Sequence, residues 1–247
     1  MPHSKEIVCL HLTWDTEFFG QKIGLIRCYT HAEQSQIALV LDKFRQDKFD
    51  LVYVMLEGET LLDESFCKQF GGQLVDIKYI FGRSIEPKSP LPKESNVLDY
   101  TGDGTELHEL AYAAGWCSRY KNDNHFSQEV FERFYRTWIA NSLNGNMADG
   151  VYIINGENGT PKGFATLKIS NEEASIGLIA VDADSRGKGI GKKLINHMVG
   201  VAQQRGCKRM SVATQKHNKD AVAFYKSCDM SLIESCSIYH FWLDKED

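Results

Sequence analysis

Three glycines at alternate positions, Gly187, Gly189 and Gly191, stand in the run Val181-Asp-Ala-Asp-Ser-Arg186-Gly187-Lys188-Gly189-Ile190-Gly191. An apolar segment precedes them and an amphipathic helical pattern follows. Glycine lets backbone approach a ligand closely and turns N–H groups outward. The first turn of the following helix adds unpaired N–H donors and partial positive charge, so such a loop can cradle a pyrophosphate. Arg186, Lys188, Lys192 and Lys193 concentrate positive charge here, although the 247-residue chain carries a net charge of −5. Two phosphate motifs are excluded. No Ser or Thr follows Lys192 as a Walker loop requires, and the spacing G-x-G-x-G is not the Rossmann G-x-G-x-x-G.

A second group lies downstream, where Asn218 opens a helical segment that ends at Phe224-Tyr225-Lys-Ser-Cys228. Asparagine is a favoured N-cap. A phenol with an ordinary pKa of about 10 keeps its proton at pH 7 and can deliver it to a leaving group. Cys228 reads as packing rather than as a nucleophile.

These residues need a scaffold, and the hydrophobic periodicity supplies one. Ile23–Tyr29, Leu51–Leu56 and Leu74–Phe81 read as strands. Helices lie between them, one with a stripe of Ile37, Leu41 and Phe44, the other over Leu61–Phe70 before Gly71-Gly72. Helices over Glu106–Ser118 and Gln128–Ser142 follow, then strands over Gly150–Ile154, Lys162–Ser170 and Ala174–Val181. The last two strands are joined by the polar turn Ser170-Asn-Glu-Glu173, the mark of a hairpin. Gly189–Gln204 presents Ile190, Leu194, Met198 and Val201 on one helical face. A strand over Arg209–Thr214, a helix over Lys219–Lys226 and a strand region over Leu232–Leu243 complete the chain. Pro87, Pro90 and Pro92 fall within the charged stretch Glu86–Glu94, which reads as a linker. The expected division is therefore a small α/β domain over residues 1–90 and a larger one over 91–247.

Composition narrows the function. An acidic chain has no bulk pull toward nucleic acid or an anionic membrane. No apolar run approaches the ~20 residues that span a bilayer, and Met1–Leu12 lacks the apolar centre of a signal peptide. Seven scattered cysteines, none spaced C-x-x-C, and eight dispersed histidines point to no disulfide framework and no metal site. A cytoplasmic location is expected.

The pattern R-x-x-G-x-G after an apolar strand resembles the acetyl-CoA-binding motif of the GNAT superfamily of N-acetyltransferases, from Gly177 through Gly191 and the helix beyond. The resemblance implies an α/β fold with a mixed, mostly antiparallel sheet that splays where acetyl-CoA enters. It implies that the amides of the loop Arg186–Lys192, including Ile190, hold the CoA pyrophosphate, and that Ile179, Ala180 and Val181 bind the pantetheine arm and thioester carbonyl. Asn218 then lies beside the pantetheine and Tyr225 faces the thioester sulfur as the acid. A neutral amine attacks the carbonyl directly, and donors stabilise the oxyanion.

Leu12-Thr-Trp14-Asp-Thr-Glu-Phe18-Phe19-Gly20, Ser118-Arg119-Tyr120 and Phe131–Trp138 are similar to segments of the TDP-fucosamine acetyltransferase group. That group acetylates the 4-amine of a TDP-4-amino-4,6-dideoxyhexose and combines a reduced N-terminal α/β half with a complete acetyltransferase half. The likeness implies an amino sugar nucleotide as substrate, with Arg119 on the pyrophosphate and Tyr120 or Trp138 stacked on a ring. Core packing competes with that role for Trp14, Phe18, Phe19, Phe134 and Trp138. Glu17, Asp123 and His217 are the candidate general bases, with no choice among them. The alternatives are another acceptor (a small amine, an aminoglycoside or a peptide N-terminus) or an acetyl-CoA-binding protein without catalysis. Analogy alone suggests a homodimer.

Overall fold

The computed structural model describes residues 7–29, 33–86 and 96–243. The proline-rich stretch expected as a linker lies almost wholly outside them. The chain forms two compact units, each drawn from separate stretches of sequence. One holds Met1–Tyr79, Gln215–His217 and Glu234–Asp247; the other holds Ile80–Thr214 and Asn218–Ile233.

The first unit contains β1 (Ile7–His11), α1 (Thr13–Phe19), β2 (Ile23–Cys28), α2 (Gln34–Gln46), β3 (Leu51–Glu57), α3 (Glu64–Phe70) and the start of β4 (Gly72–Ser84). It also takes most of the last strand, β10 (Ser231–Trp242), which lies antiparallel to β3 with Tyr239 opposite Val54. The β2–β3 pair is parallel and the β1–β2 pair antiparallel. Ile37, Leu41 and Phe44 of α2 are all buried, as their spacing predicts, in a core with Val52, Val54, Tyr239 and Phe241. Gly71 closes α3 in the left-handed conformation at φ 69°, which glycine adopts without a Cβ penalty. The aromatic helix α1 buries none of its residues: Trp14 is exposed and stacks on Phe18.

The second unit contains the end of β4, β5 (Leu98–Asp99), α4 (His108–Gly115), α5 (Arg119–Asn122), α6 (Gln128–Leu143), β6 (Gly150–Asn155), β7 (Pro161–Ser170), β8 (Glu173–Val181), α7 (Ile190–Gln204), all but the last residue of β9 (Arg209–Gln215), and α8 (Lys219–Ser227). Strands β5 to β8 pair antiparallel in succession, and β8 pairs with β9 in parallel. The β7–β8 turn bends at Asn171, φ 55°. This is the mixed, largely antiparallel sheet flanked by helices that the sequence predicts.

Helices cover both faces of this sheet. A Cβ on Gly163 of β7 would lie 2.5 Å from Ile190 of α7, while Thr166, an odd number of residues on, faces Trp138 of α6 across Gly177. Side chains alternate along a strand, so α7 and α6 lie on opposite faces. Gly115 admits the α6 aromatics on the second face, since a Cβ there would meet the Tyr135 ring at 2.0 Å.

Candidate active site

Two irregularities in β8 build the site. Leu167 pairs with Ile176 and Ala165 with Ile179, so Thr166 alone opposes Gly177 and Leu178. Two residues against one is a β-bulge, and it re-aims the strand beyond it. The Thr166 hydroxyl oxygen holds the bulge by accepting the Leu178 N–H at 2.9 Å. On its other edge β8 pairs with β9 only from Glu173–Arg209 to Ile176–Val212. Past that point Ile179, Ala180 and Val181 keep their partners on β7 but have no strand partner toward β9 among the described residues. The strands splay here, with backbone donors and acceptors along the gap.

We expect Thr166→Val, which keeps shape and removes the oxygen, to leave the Leu178 amide unsatisfied at a cost of about 1–3 kcal/mol. Thermal unfolding should fall by about 2–4 °C per kcal/mol in a chain of this size.

The loop after β8 is set by local bonds. The Asp182 amide donates to the Lys162 carbonyl, the Ser185 amide donates to the Asp182 carbonyl, and the Ser185 hydroxyl donates to the Asp182 carboxylate. Gly187 and Gly189 then take φ 74° and 78° with open space about them, so backbone conformation rather than crowding demands glycine there. Gly191 differs: a Cβ would meet the Phe224 ring at 2.9 Å, so its small size lets α8 approach α7. No side chain caps α7, and the Lys193 amide is the first to bond back, to the Gly189 carbonyl. The amides of Ile190, Gly191 and Lys192 precede the helical ladder and are free to bind an anion. Arg186, Lys188 and Lys192 are exposed around them. The donors and charge suit a pyrophosphate, and the splayed edge suits an amide-bearing arm, so the residues present fit CoA.

Asn218 caps α8, its side-chain oxygen accepting the Ala221 N–H at 3.2 Å. Tyr225 on the same helix is buried, its ring 5.9 Å from that of Phe81 and 5.4 Å from that of Phe224. Burial is the main cause that pushes the phenol pKa well above its ordinary value, with Cys228 adding a smaller push. Burial likewise raises the Cys228 thiol, which keeps it neutral and unreactive.

Arg119 and Tyr120 lie together, with Arg119 Nη2 donating to the Tyr120 hydroxyl at 2.7 Å. Tyr120 is buried against Phe126 and Phe134. Trp138 lies parallel to Tyr135 and edge-on to Phe134. The candidate bases are dispersed. Glu17 is on α1, and His217 also belongs to the first unit. Asp123, in the second unit, is fully buried and accepts from the His125 backbone while bonding its ring. Sequence reasoning read Phe224 as a packing residue but missed the bulge at Thr166 and Gly177. A glycine inside a strand pattern is the signal that marks a bulge. Among the described residues no group of side chains could hold a metal ion, and no helix is long and apolar enough to cross a membrane.

Residues 110–230 match the acetyltransferase (GNAT) family. The chain is an acyltransferase carrying a GNAT acetyltransferase domain, and proteins of this family generally use acetyl-CoA. It is similar to the spore coat polysaccharide biosynthesis protein SpsD of Bacillus subtilis, 24% identical over 94% of this chain and 82% of that one. It is also similar to the dTDP-fucosamine acetyltransferase of Escherichia coli, 26% identical over 87% of this chain and 89% of that one. The fold matches the GCN5-related N-acetyltransferase of Sphaerobacter thermophilus with a TM-score of 0.54, at 15% identity, over 91% of this chain and 75% of that one.

Proposed function

We propose that this acyltransferase acetylates the 4-amino group of a TDP-4-amino-4,6-dideoxyhexose for polysaccharide synthesis, working in the cytoplasm. The site in the second unit carries the acetyl-transfer half of this reading. The sugar-nucleotide half is supported by likeness to SpsD and the dTDP-fucosamine acetyltransferase over most of the chain. Seven free cysteines suit a reducing compartment.

Acetyl-CoA, when bound, supplies an activated acyl thioester. The amides and cations from Arg186 to Lys192 would hold its pyrophosphate, and the free edge of Ile179, Ala180 and Val181 its pantetheine. Asn218 would contact the same arm while capping α8. Backbone N–H groups on that edge would polarise a carbonyl without reorganising, because beyond Ile176 no strand partner toward β9 occupies them among the described residues. Tyr225 holds a proton on its phenolic oxygen, and its burial keeps that proton in place. Arg119 and Tyr120 serve the nucleotide end of the acceptor.

Release of CoA thiol should be followed with TDP-4-amino-4,6-dideoxygalactose, its glucose epimer, an aminoglycoside and a peptide amine. Rapid turnover on one TDP-sugar is expected. Turnover on another amine alone would sink the acceptor assignment, and tight acetyl-CoA binding with no turnover on any amine would sink catalysis.

A further inference from the structure

Asp123 is the one candidate base that shares a unit with the phosphate loop and Tyr225, yet it cannot itself take a proton from a substrate. The residue is 0% exposed, so no ligand reaches its oxygens. A buried carboxylate needs partners, and one oxygen of this one takes two from a single residue. Asp123 Oδ1 lies 3.0 Å from the backbone nitrogen of His125 and 2.7 Å from its ring Nδ1. The His125 side chain, by contrast, is 53% exposed.

The ring bond is not what holds the loop between α5 and α6. The Asp123 amide donates to the Arg119 carbonyl at 3.0 Å, and the Phe126 amide donates to the Asp123 carbonyl at 3.1 Å. With the carboxylate also accepting the His125 amide, the turn is complete without the imidazole. What the additional bond fixes is the ring. An ionised carboxylate only accepts, so Nδ1 carries the proton and Nε2 keeps its lone pair. The buried carboxylate thereby decides which nitrogen can act as a base.

Phe126 ties this loop to the sheet. Its ring stands edge-on to Tyr120 at 5.5 Å, Tyr120 lies 4.5 Å from Phe134, and Phe134 meets Trp138 at 5.6 Å. Trp138 in turn lies beside Gly177 of β8, two residues before the splayed edge begins at Ile179. The dyad therefore belongs to the α6 face. The phosphate loop runs into α7 on the opposite face, so the cofactor's phosphate end is committed there and an amine reaches the gap from the α6 side.

We propose that His125 Nε2 is the general base for the acceptor amine, with Asp123 as the positioning residue behind it. The assignment rests on acyl transfer to an amine and not on the identity of the sugar. As the amine nitrogen bonds to the carbonyl carbon, its proton passes to Nε2. As the carbon–sulfur bond breaks, the electron pair leaves with sulfur, which takes the Tyr225 proton. Solvent then relays a proton from the imidazolium to the phenolate and restores both groups.

The test uses the full chain. His125→Asn keeps an amide that can donate to Asp123 but removes the base, and thermal unfolding checks its fold. With TDP-4-amino-4,6-dideoxygalactose, or whichever amine of the panel turns over, its kcat should fall about 10²- to 10⁴-fold. Acetyl-CoA affinity and the acceptor KM should hold. Added imidazole should restore part of the lost rate to His125→Ala and none to Tyr225→Phe, a rescue that a purely structural loop residue does not show. In 15N-labelled wild type, with the resonance identified by difference from His125→Asn, the ring should be protonated at Nδ1. The Nε2 resonance should move when the acceptor is added with CoA in place of acetyl-CoA. Asp123→Asn, which keeps shape and removes the charge, should let the other tautomer appear and lower kcat. Normal kcat in folded His125→Asn, or an Nε2 resonance unmoved at saturating acceptor, overturns the base while leaving acyl transfer intact. An unchanged tautomer and rate in Asp123→Asn overturns the positioning role. If no amine turns over with the wild type, catalysis itself has failed and the base assignment falls with it.

Discussion

Tyr225→Phe should lower kcat by about 10²- to 10⁴-fold, the range for a positioned general acid, while leaving acetyl-CoA affinity unchanged. Phenylalanine keeps the ring among Phe81 and Phe224 and removes only the proton donor, so the substitution separates chemistry from packing. An acid works below its folded-state pKa, and burial raises that of Tyr225. The wild-type kcat should therefore show no alkaline fall caused by this group up to about pH 10, the ordinary tyrosine range. Isothermal titration with acetyl-CoA and a pH–rate profile check both parts. A variant with near-normal kcat would reduce Tyr225 to a packing residue.

The contrast between what the sequence discloses and what it hides follows from the physics of each element. Local periodicity reports which face of a helix is buried, so Ile37, Leu41 and Phe44 are read correctly. It reports α7 less well. Leu194 and Met198 are buried as expected, but Ile195 and Ala202 join them while Val201 is only half-buried, because a helix lying on a sheet buries a wider stripe. In α1, aromatic content suggests core, yet Trp14 and Phe18 stack on each other and Trp14 remains exposed. A seven-residue helix can satisfy its rings that way. Pairing is hidden for a different reason. The pattern in Leu232–Leu243 announces a strand but not that its partner is β3, about 180 residues earlier. The bulge is likewise a relation between two strands: Gly177 inside a strand pattern signals it, but only the pairing with β7 shows that Thr166 is the residue it opposes. The glycine loop is legible because its chemistry is local: the chain turn, the helix start and the cations sit within a dozen residues.

That locality makes Gly189→Val the most damaging single change to cofactor binding. Gly189 precedes α7 at φ 78°, where a β-branched residue is strongly disfavoured. Relief of the strain requires this residue to leave the left-handed region, which rotates the peptide leading into the helix. The amides of Ile190 and Gly191 then no longer point where an anion can use them. Losing two hydrogen bonds to a charged ligand, at about 1.5–3 kcal/mol each, weakens acetyl-CoA binding by about 10²- to 10⁴-fold. Gly145→Val provides the control. Its φ of 85° imposes similar strain with open space around it, in the turn between α6 and β6. Both variants should lose comparable thermal stability, but only Gly189→Val should lose affinity by titration calorimetry. Equal affinity losses would mean that the loop contributes through fold stability. Normal binding by Gly189→Val would remove the loop amides from the cofactor site and leave the cations to hold the phosphates as point charges.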